Sequence, residues 1–370
     1  PGGIEKAHVV LADFGKTSLL EPGASETLTL SFPVEQMASY DMSDGGAYVL
    51  EAGDYSINVQ TDSHNLAAGV EPIVYTVGSD VRFTDGRASD EVPATNEFDD
   101  VTARFEDGKA TAFSRADFAG TFPSAPDAAA YEASEATIAD FAPYDAAAAA
   151  AESDAVAPTW DAQNGLSLID LRGMAWDDPA WDLLLDQLNL DESVAMLTSG
   201  AYNTAALEDI GKIRTNDLDG PAGFSSFINP ELWTGTAFPS EYLIGQTWNV
   251  ELATAMGEAI GNEALTMGAN GWYAPAVNLH RSPFAGRNFE YYSEDPTLSG
   301  SLGTAVVDGA LTKGVYAFTK HFAMNDQETN RTRGNGLATW AAEQTIREIY
   351  LRPFEMVVKD ASGELISYND

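Results

Sequence analysis

Short stretches near the start of the chain alternate apolar and polar residues with period two. Thr27-Leu28-Thr29-Leu30-Ser31-Phe32 does so after a Pro22-Gly23 turn, and Tyr55-Ser56-Ile57-Asn58-Val59 does so after Gly53-Asp54. Together with Val9-Val10-Leu11, Phe14 and Ala47-Tyr48-Val49-Leu50, they predict short strands with one buried face. Residues 1–78 therefore read as a β-sandwich, partial because too few strands are present to close two sheets. Residues 79–165 lose the period. Phe98, Phe105, Phe113, Phe118 and Phe122 are strung through polar sequence, the pattern of an extended strap laid over other domains. Within this part, Asp127 to Pro158 is acidic and Ala-rich, and its Ala146–Ala151 run fits a helix or a linker equally.

From Leu166 the spacing becomes helical. Trp181, Leu184, Leu185 and Leu188 mark one amphipathic helix, and Asp191 is the expected N-cap of the next, through Val194 and Leu197. Apolar runs then alternate with helical segments. A weak strand from Ile213 reaches Asp217-Leu218-Asp219-Gly220-Pro221. Tyr242-Leu243-Ile244 is the next run, followed by Asn249 as cap of a helix carrying Leu252, Met256 and Ile260. Trp272 to Val277 forms a third run, Leu298, Leu302, Val306 and Ala310 form a helix face, and Val315 to Thr319 forms a fourth run. A long helix through Ile346, Ile349, Tyr350 and Phe354 leads to Leu365-Ile366-Ser367-Tyr368. Repeated β-then-α units predict a parallel sheet or a (β/α) barrel, with about five of eight strands in residues 166–370. The expected whole is multidomain: a β-sandwich, a strap, and the N-terminal part of a (β/α)8 barrel.

Composition narrows the partners. The 370 residues carry 57 Asp and Glu against 19 Lys and Arg, a net charge of −38. Such a surface repels nucleic acid and anionic lipid, so neither is expected as a partner, and a neutral ligand is favoured. No apolar run approaches the roughly 18 residues of a membrane helix. Cysteine is absent, which removes disulfides and thiolate metal sites, and the four His make a multi-histidine zinc site a poor expectation. No Gly-rich phosphate loop follows a strand, so no cofactor is implied. The chain opens Pro1-Gly2-Gly3 without Met, so the true N-terminus is expected upstream and the compartment stays open.

The candidate chemistry lies where strands stop, the end at which α/β sheets and barrels bind ligands. Asp219, Arg287, Lys320, His321 and Tyr368 each fall at or just after such an end. Their chemistry suits a polyol: a carboxylate accepts from adjacent hydroxyls, while Arg and Lys donate to hydroxyl oxygens. Trp248, Tyr273, Tyr291 and Tyr292 offer rings for the apolar face of a sugar. Each residue also has a bland role. Asp219 before Gly-Pro forms turns, Arg287 can order its loop through Glu290 or Glu294, Lys320 and His321 can be a satisfied buried pair, and Tyr368 can be core.

Four motifs in register carry a resemblance. Asp219-Gly220-Pro221, Gly286-Arg287-Asn288-Phe289-Glu290 with Ser293-Glu294-Asp295-Pro296, Lys320-His321-Phe322 and Ser367-Tyr368-Asn369 resemble the (β/α)8-barrel domain of glycoside hydrolase family 3. Residues 4–62 are similar to the fibronectin type III-like domain of the same family. The sandwich here precedes the barrel, which is similar to the reversed domain order of some bacterial β-glucosidases. The resemblance implies exo-acting, retaining hydrolysis of a small-molecule or oligosaccharide β-glycoside. It also implies that Asp219, Arg287, Lys320, His321 and Tyr368 hold the non-reducing-end sugar in the −1 subsite. By the same resemblance the nucleophilic Asp is expected beyond Asp370 and the acid/base Glu before Pro1. No catalytic residue is then assigned within the chain, and the isolated 370 residues are expected to be inactive and to aggregate or stay partly unfolded. Ala323-Met324-Asn325-Asp326 departs from the Pro-Gly-His-Gly of the family's N-acetylhexosaminidases, so a gluco- or xylo-configured sugar fits better. A non-catalytic carbohydrate-binding or scaffold protein is the second reading.

Overall fold

The computed structural model describes residues 2–90, 92–99, 102, 113–120, 132, 134–140, 145–200, 202–225, 235–331, 337, 339–361 and 364–368. Its first part holds two small antiparallel sheets. Strands β1 (Ser39–Asp41), β2 (Ala47–Leu50) and β5 (Val81–Arg82) form one, in the order β1-β2-β5, and β3 (Gly53–Ile57) pairs with β4 (Ile73–Val77) in the other. Tyr40, Tyr48, Val49 and Leu50 bury their side chains here. Two expected strands do not form. Residues 9–11 and 27–32 form no ladder, and Val9, Val10, Leu28 and Leu30 stay exposed instead of burying one face. The Ser31 N–H donates to Asp13 Oδ2 at 2.7 Å, and that of Ser18 to Glu26 Oε2 at 2.7 Å.

Residues 95–98 lie against the helical segment near residue 343, where the Glu97 and Phe98 N–H groups donate to the buried Glu343 carboxylate at 2.9 and 3.1 Å. Phe113 and Phe118 are exposed instead of laid down, for nothing apolar covers them. Phe105 and Phe122 lie outside the described residues. Helix α1 spans Glu135–Asp140. The Ala-rich run is helix α2 (Ala146–Glu152), capped by Asp145, which accepts from the Ala147 and Ala148 N–H groups.

The second part is a five-stranded sheet of β6 (Asn203–Thr204), β7 (Thr215–Asp219), β8 (Gly271–Tyr273), β9 (Tyr316–Phe322) and β10 (Glu364–Tyr368), in the order β10-β9-β8-β7-β6. Strands β7 to β10 are parallel and neighbours in chain order, and β6 is antiparallel to β7. Helices α3 (Ala180–Leu185) and α4 (Leu190–Ser199) precede the sheet. The N-cap of α4 is Asn189, two residues before the expected Asp191, because its side chain accepts the Asp191 and Glu192 N–H groups. The run Tyr242–Ile244 was counted as a strand. It lies in a short helix, α5 (Glu241–Gly245), which Ser240 starts as N-cap. Helices α6 (Val250–Met267) and α7 (Pro296–Leu311) follow, capped by Asn249 and Asp295. The long helix expected near the end is broken into α8 (Glu343–Thr345), a π turn (Ile346–Tyr350) and α9 (Arg352–Asp360). Pro353 has no N–H to give Ile349, so a continuous α ladder stops there.

Alternate residues of β7–β9 explain the core. Leu218, Trp272, Ala274 and Ala317 point to α6 and α7 and are buried with Ile260, Leu302 and Val306. The other face carries Asp217, Asp219, Tyr273, Tyr316 and Phe318. Helices α6 and α7 cross on glycines: a Cβ on Gly257 would stand 2.1 Å from the Val306 carbonyl oxygen, and one on Gly309 2.2 Å from that of Thr254.

Candidate active site

Parallel strands in chain order carry their C-terminal ends to one side, and four of the five expected residues meet there. Asp219 ends β7 and Lys320 lies near the end of β9. Lys320 Nζ is 2.6 Å from Asp219 Oδ1, with the lysine side chain 5% exposed. Arg287 comes from the loop after β8, and its Nε donates to Glu290 Oε1 at 2.5 Å. The second oxygen of Glu290 stands 3.9 Å from Lys320 Nζ, so this buried carboxylate links the two cations. The bland role of Arg287, a salt bridge with Glu290, is therefore also present. Tyr368 belongs to β10, where its backbone is in register with Phe322 at the same end of the sheet.

His321 is buried, and Asn278 fixes its backbone from both sides. The His321 N–H donates to Asn278 Oδ1 at 2.5 Å, and Asn278 Nδ2 donates to the His321 carbonyl at 2.8 Å. The Lys320–His321 peptide is cis. Burial, followed by the nearby cations Lys320, Arg287 and Arg331, pushes the imidazole down to about 2. It is thus a neutral ring at physiological pH, with Nδ1 3.4 Å from the Tyr291 hydroxyl.

Several members of the cluster gave little sign in the sequence. His280 staples the Arg287 loop, its Nε2 lying 2.8 Å from the carbonyls of both Asn288 and Tyr291. Glu328 stands 3.0 Å from Arg331 and 3.7 Å from Arg287, and it accepts from Asn325 Nδ2 at 2.8 Å. Carboxylates and cations thus alternate around the strand ends: Asp219, Lys320, Glu290, Arg287, Glu328, Arg331. Glu241 is 1% exposed and lines a cleft of about 330 Å³ with Pro221, Phe289 and Glu290. An acid followed by an apolar run reads as a surface helix position, so no periodicity could have found it.

The expected stacking rings are elsewhere. Tyr291 and Tyr292 are fully buried. Trp248 packs edge-on to Phe14, and Tyr273 stacks on Phe318 at 4.4 Å within the sheet face.

Comparison with known proteins finds matches to both parts of the chain. The fibronectin type III-like domain matches residues 1–63, and the glycosyl hydrolase family 3 N-terminal domain matches residues 229–367. Beta-glucosidase A of Butyrivibrio fibrisolvens is 32% identical over the whole of this chain and 44% of its own length. The chain is thus similar to glycoside hydrolase family 3 over residues 229–367. The beta-glucosidase of Rhizobium radiobacter is 40% identical over 195 residues, 51% of this chain and 23% of its own. A β-glucosidase structure from Paenibacillus barengoltzii superposes with a TM-score of 0.68 at 26% identity, covering 97% of this chain and 38% of that one. The chain therefore spans less than half the length of each of these relatives.

Proposed function

We propose that β7–β10 form an arc of a (β/α)8 barrel whose strand-end bowl holds the non-reducing-end sugar of a β-glycoside. The reaction served is the retaining, exo-acting hydrolysis of a β-glucosidase. The observation that carries this reading is the Lys320–Asp219 contact at 2.6 Å, with Glu290 linking Lys320 to Arg287. Cations hold the carboxylates pre-aimed, so adjacent hydroxyls meet acceptors and donors already fixed in place. Asp219 accepts from two neighbouring hydroxyls, Lys320 and Arg287 donate, and His321 offers a neutral ring nitrogen. Tyr368 completes the set from β10. Retention needs two carboxyl groups ~5–5.5 Å apart, one nucleophile and one acid/base. Asp219, Glu290 and Glu328 are not given those roles, because each is already bound to a cation that makes it a grip on hydroxyls. The names of the relatives, all β-glucosidases, favour glucose as the sugar.

Calorimetric titration of the folded protein with glucose tests the reading. Uptake by the wild type is expected to be lost in Lys320→Ala and Asp219→Asn and weakened with galactose. Equal heats from wild type and Lys320→Ala would remove the bowl as a sugar site.

A further inference from the structure

Glu241 is a carboxylate with almost no water and, among the described residues, no cation in direct contact. It is 1% exposed, and both its oxygens lie 3.1 Å from one donor, the backbone N–H of Ala276. A group so costly to bury needs a reason, and sheet geometry supplies one. Lys320 pairs with Ala276 across β9 and the chain following β8. The Lys320 N–H donates to the Pro275 carbonyl at 2.9 Å, and the Val277 N–H donates to the Lys320 carbonyl at 2.8 Å. In a parallel ladder the N–H of Ala276 then points the other way, toward β7. But β7 has already ended at Asp219 and turned through Gly220-Pro221. The donor would be orphaned inside the protein beside the residues that bracket Lys320. Glu241 fills that place. Its helix, α5, reaches the spot because Gly245 lacks a Cβ, which would stand 2.1 Å from the Tyr292 carbonyl oxygen.

We propose that Glu241 is a positioning residue: by holding the Ala276 N–H it fixes Pro275–Val277, and through them aims Lys320 at Asp219 and the sugar. The inference rests on the reading of Lys320 and Asp219 as a sugar grip, and it adds the group that sets that grip. The ionisable neighbours of Glu241 are Glu290 and Lys320 of the bowl and the buried Tyr292. Burial pushes the Glu241 carboxyl well up, and Glu290 adds to this against the pull of the Ala276 N–H and Lys320. A protonated Glu241 still accepts from Ala276 through its carbonyl oxygen, as the amide of Gln would.

The test uses Glu241→Ala and Glu241→Gln in the full chain. Acetic anhydride labelling of lysines is read by mass spectrometry, and glucose affinity by calorimetry. In Glu241→Ala, labelling of Lys320 is expected to rise several-fold while Lys212 and Lys359 stay as in the wild type. Glucose affinity is expected to fall about tenfold, the scale of one charge-assisted hydrogen bond. Glu241→Gln should restore both. Unchanged Lys320 labelling in Glu241→Ala overturns the proposal, as does a rise shared by all three lysines, which reports general loosening. If Glu241→Ala does not fold, Glu241→Asp, one methylene short of the Ala276 N–H, is read by the same two outcomes. Labelling needs no sugar. A wild type that takes up no glucose therefore sinks the sugar reading alone, and the labelling result still decides the role of Glu241.

Discussion

His321 is the group in the bowl whose protonation the fold opposes most. Its imidazole is held down to about 2 by burial and by Lys320, Arg287 and Arg331, against an ordinary value of 6.5. Between those values the unfolded chain binds the proton and the folded chain does not, so stability rises with pH through that window. Falling from pH 7 to pH 5, His321 alone is expected to cost the fold about 2 kcal/mol. Denaturant melts at the two pH values should show this loss, and His321→Gln should flatten the slope by about that amount. An equal slope in the variant would place the pH dependence elsewhere. At this scale the sequence was readable where chemistry and strand ends coincided. Asp219, Arg287, Lys320 and His321 are polar groups landing on apolar runs, and the structure brings them together. Glu241 and His280 were not readable, because their partners are backbone groups of other segments, the Ala276 N–H and the Asn288 and Tyr291 carbonyls. No side-chain pattern announces a backbone partner.

Helices α6 and α7 make the closest packing in the sheet's cover, and they do it through glycine. Replacing Gly309 by Ala has two opposed effects. Helix propensity improves by about 1 kcal/mol. The new Cβ, however, would lie 2.2 Å from the Thr254 carbonyl oxygen and 2.9 Å from the Glu258 nitrogen, both backbone atoms that cannot swing aside. Overpacking of a well-filled core costs about 1–3 kcal/mol, and a contact this short belongs at or above the upper end. The expected outcome for Gly309→Ala is a net loss of about 2 kcal/mol, seen as a lower denaturant midpoint with unchanged slope. A gain in stability would mean that the helices slide apart freely. Elements were legible where a period ran long enough. Leu298, Leu302, Val306 and Ala310 are all buried, as their spacing by four predicts. Three apolar residues at 242–244 carry no period, and there Ser240 and Gly245 decided for helix. Residues 27–32 alternate, but a strand also needs a neighbour, and the Ser31 N–H donates to the Asp13 carboxylate instead of to a partner strand.

Over the whole molecule, the first β-sheet grips the segment 343–360 by charge. Arg87 donates to Glu355 at 2.9 Å and lies 3.9 Å above the Tyr48 ring, while Lys359 joins Asp90 at 2.7 Å and Glu355 at 2.8 Å. Arg347 sits over Tyr40 and binds the Glu343 that holds the strap. The partners across the clasp are some 250 to 310 residues apart, so sequence showed the order of the parts but not this clasp. Charge also acts against the molecule as a whole, through the net −38. Added salt weakens both effects, and geometry decides which weakens more. The side chains of Arg87, Asp90 and Glu343 are 9%, 11% and 1% exposed, so mobile ions screen the clasp poorly. The excess acids face water, where a Debye length of about 10 Å at 0.1 M already separates most of them. Self-repulsion of the compact state is therefore the larger loss. Raising NaCl from about 0.05 M to about 0.5 M is expected to raise the melting temperature by several degrees. A fall over that range would mean that exposed ion pairs, and not the buried clasp, hold the two parts together.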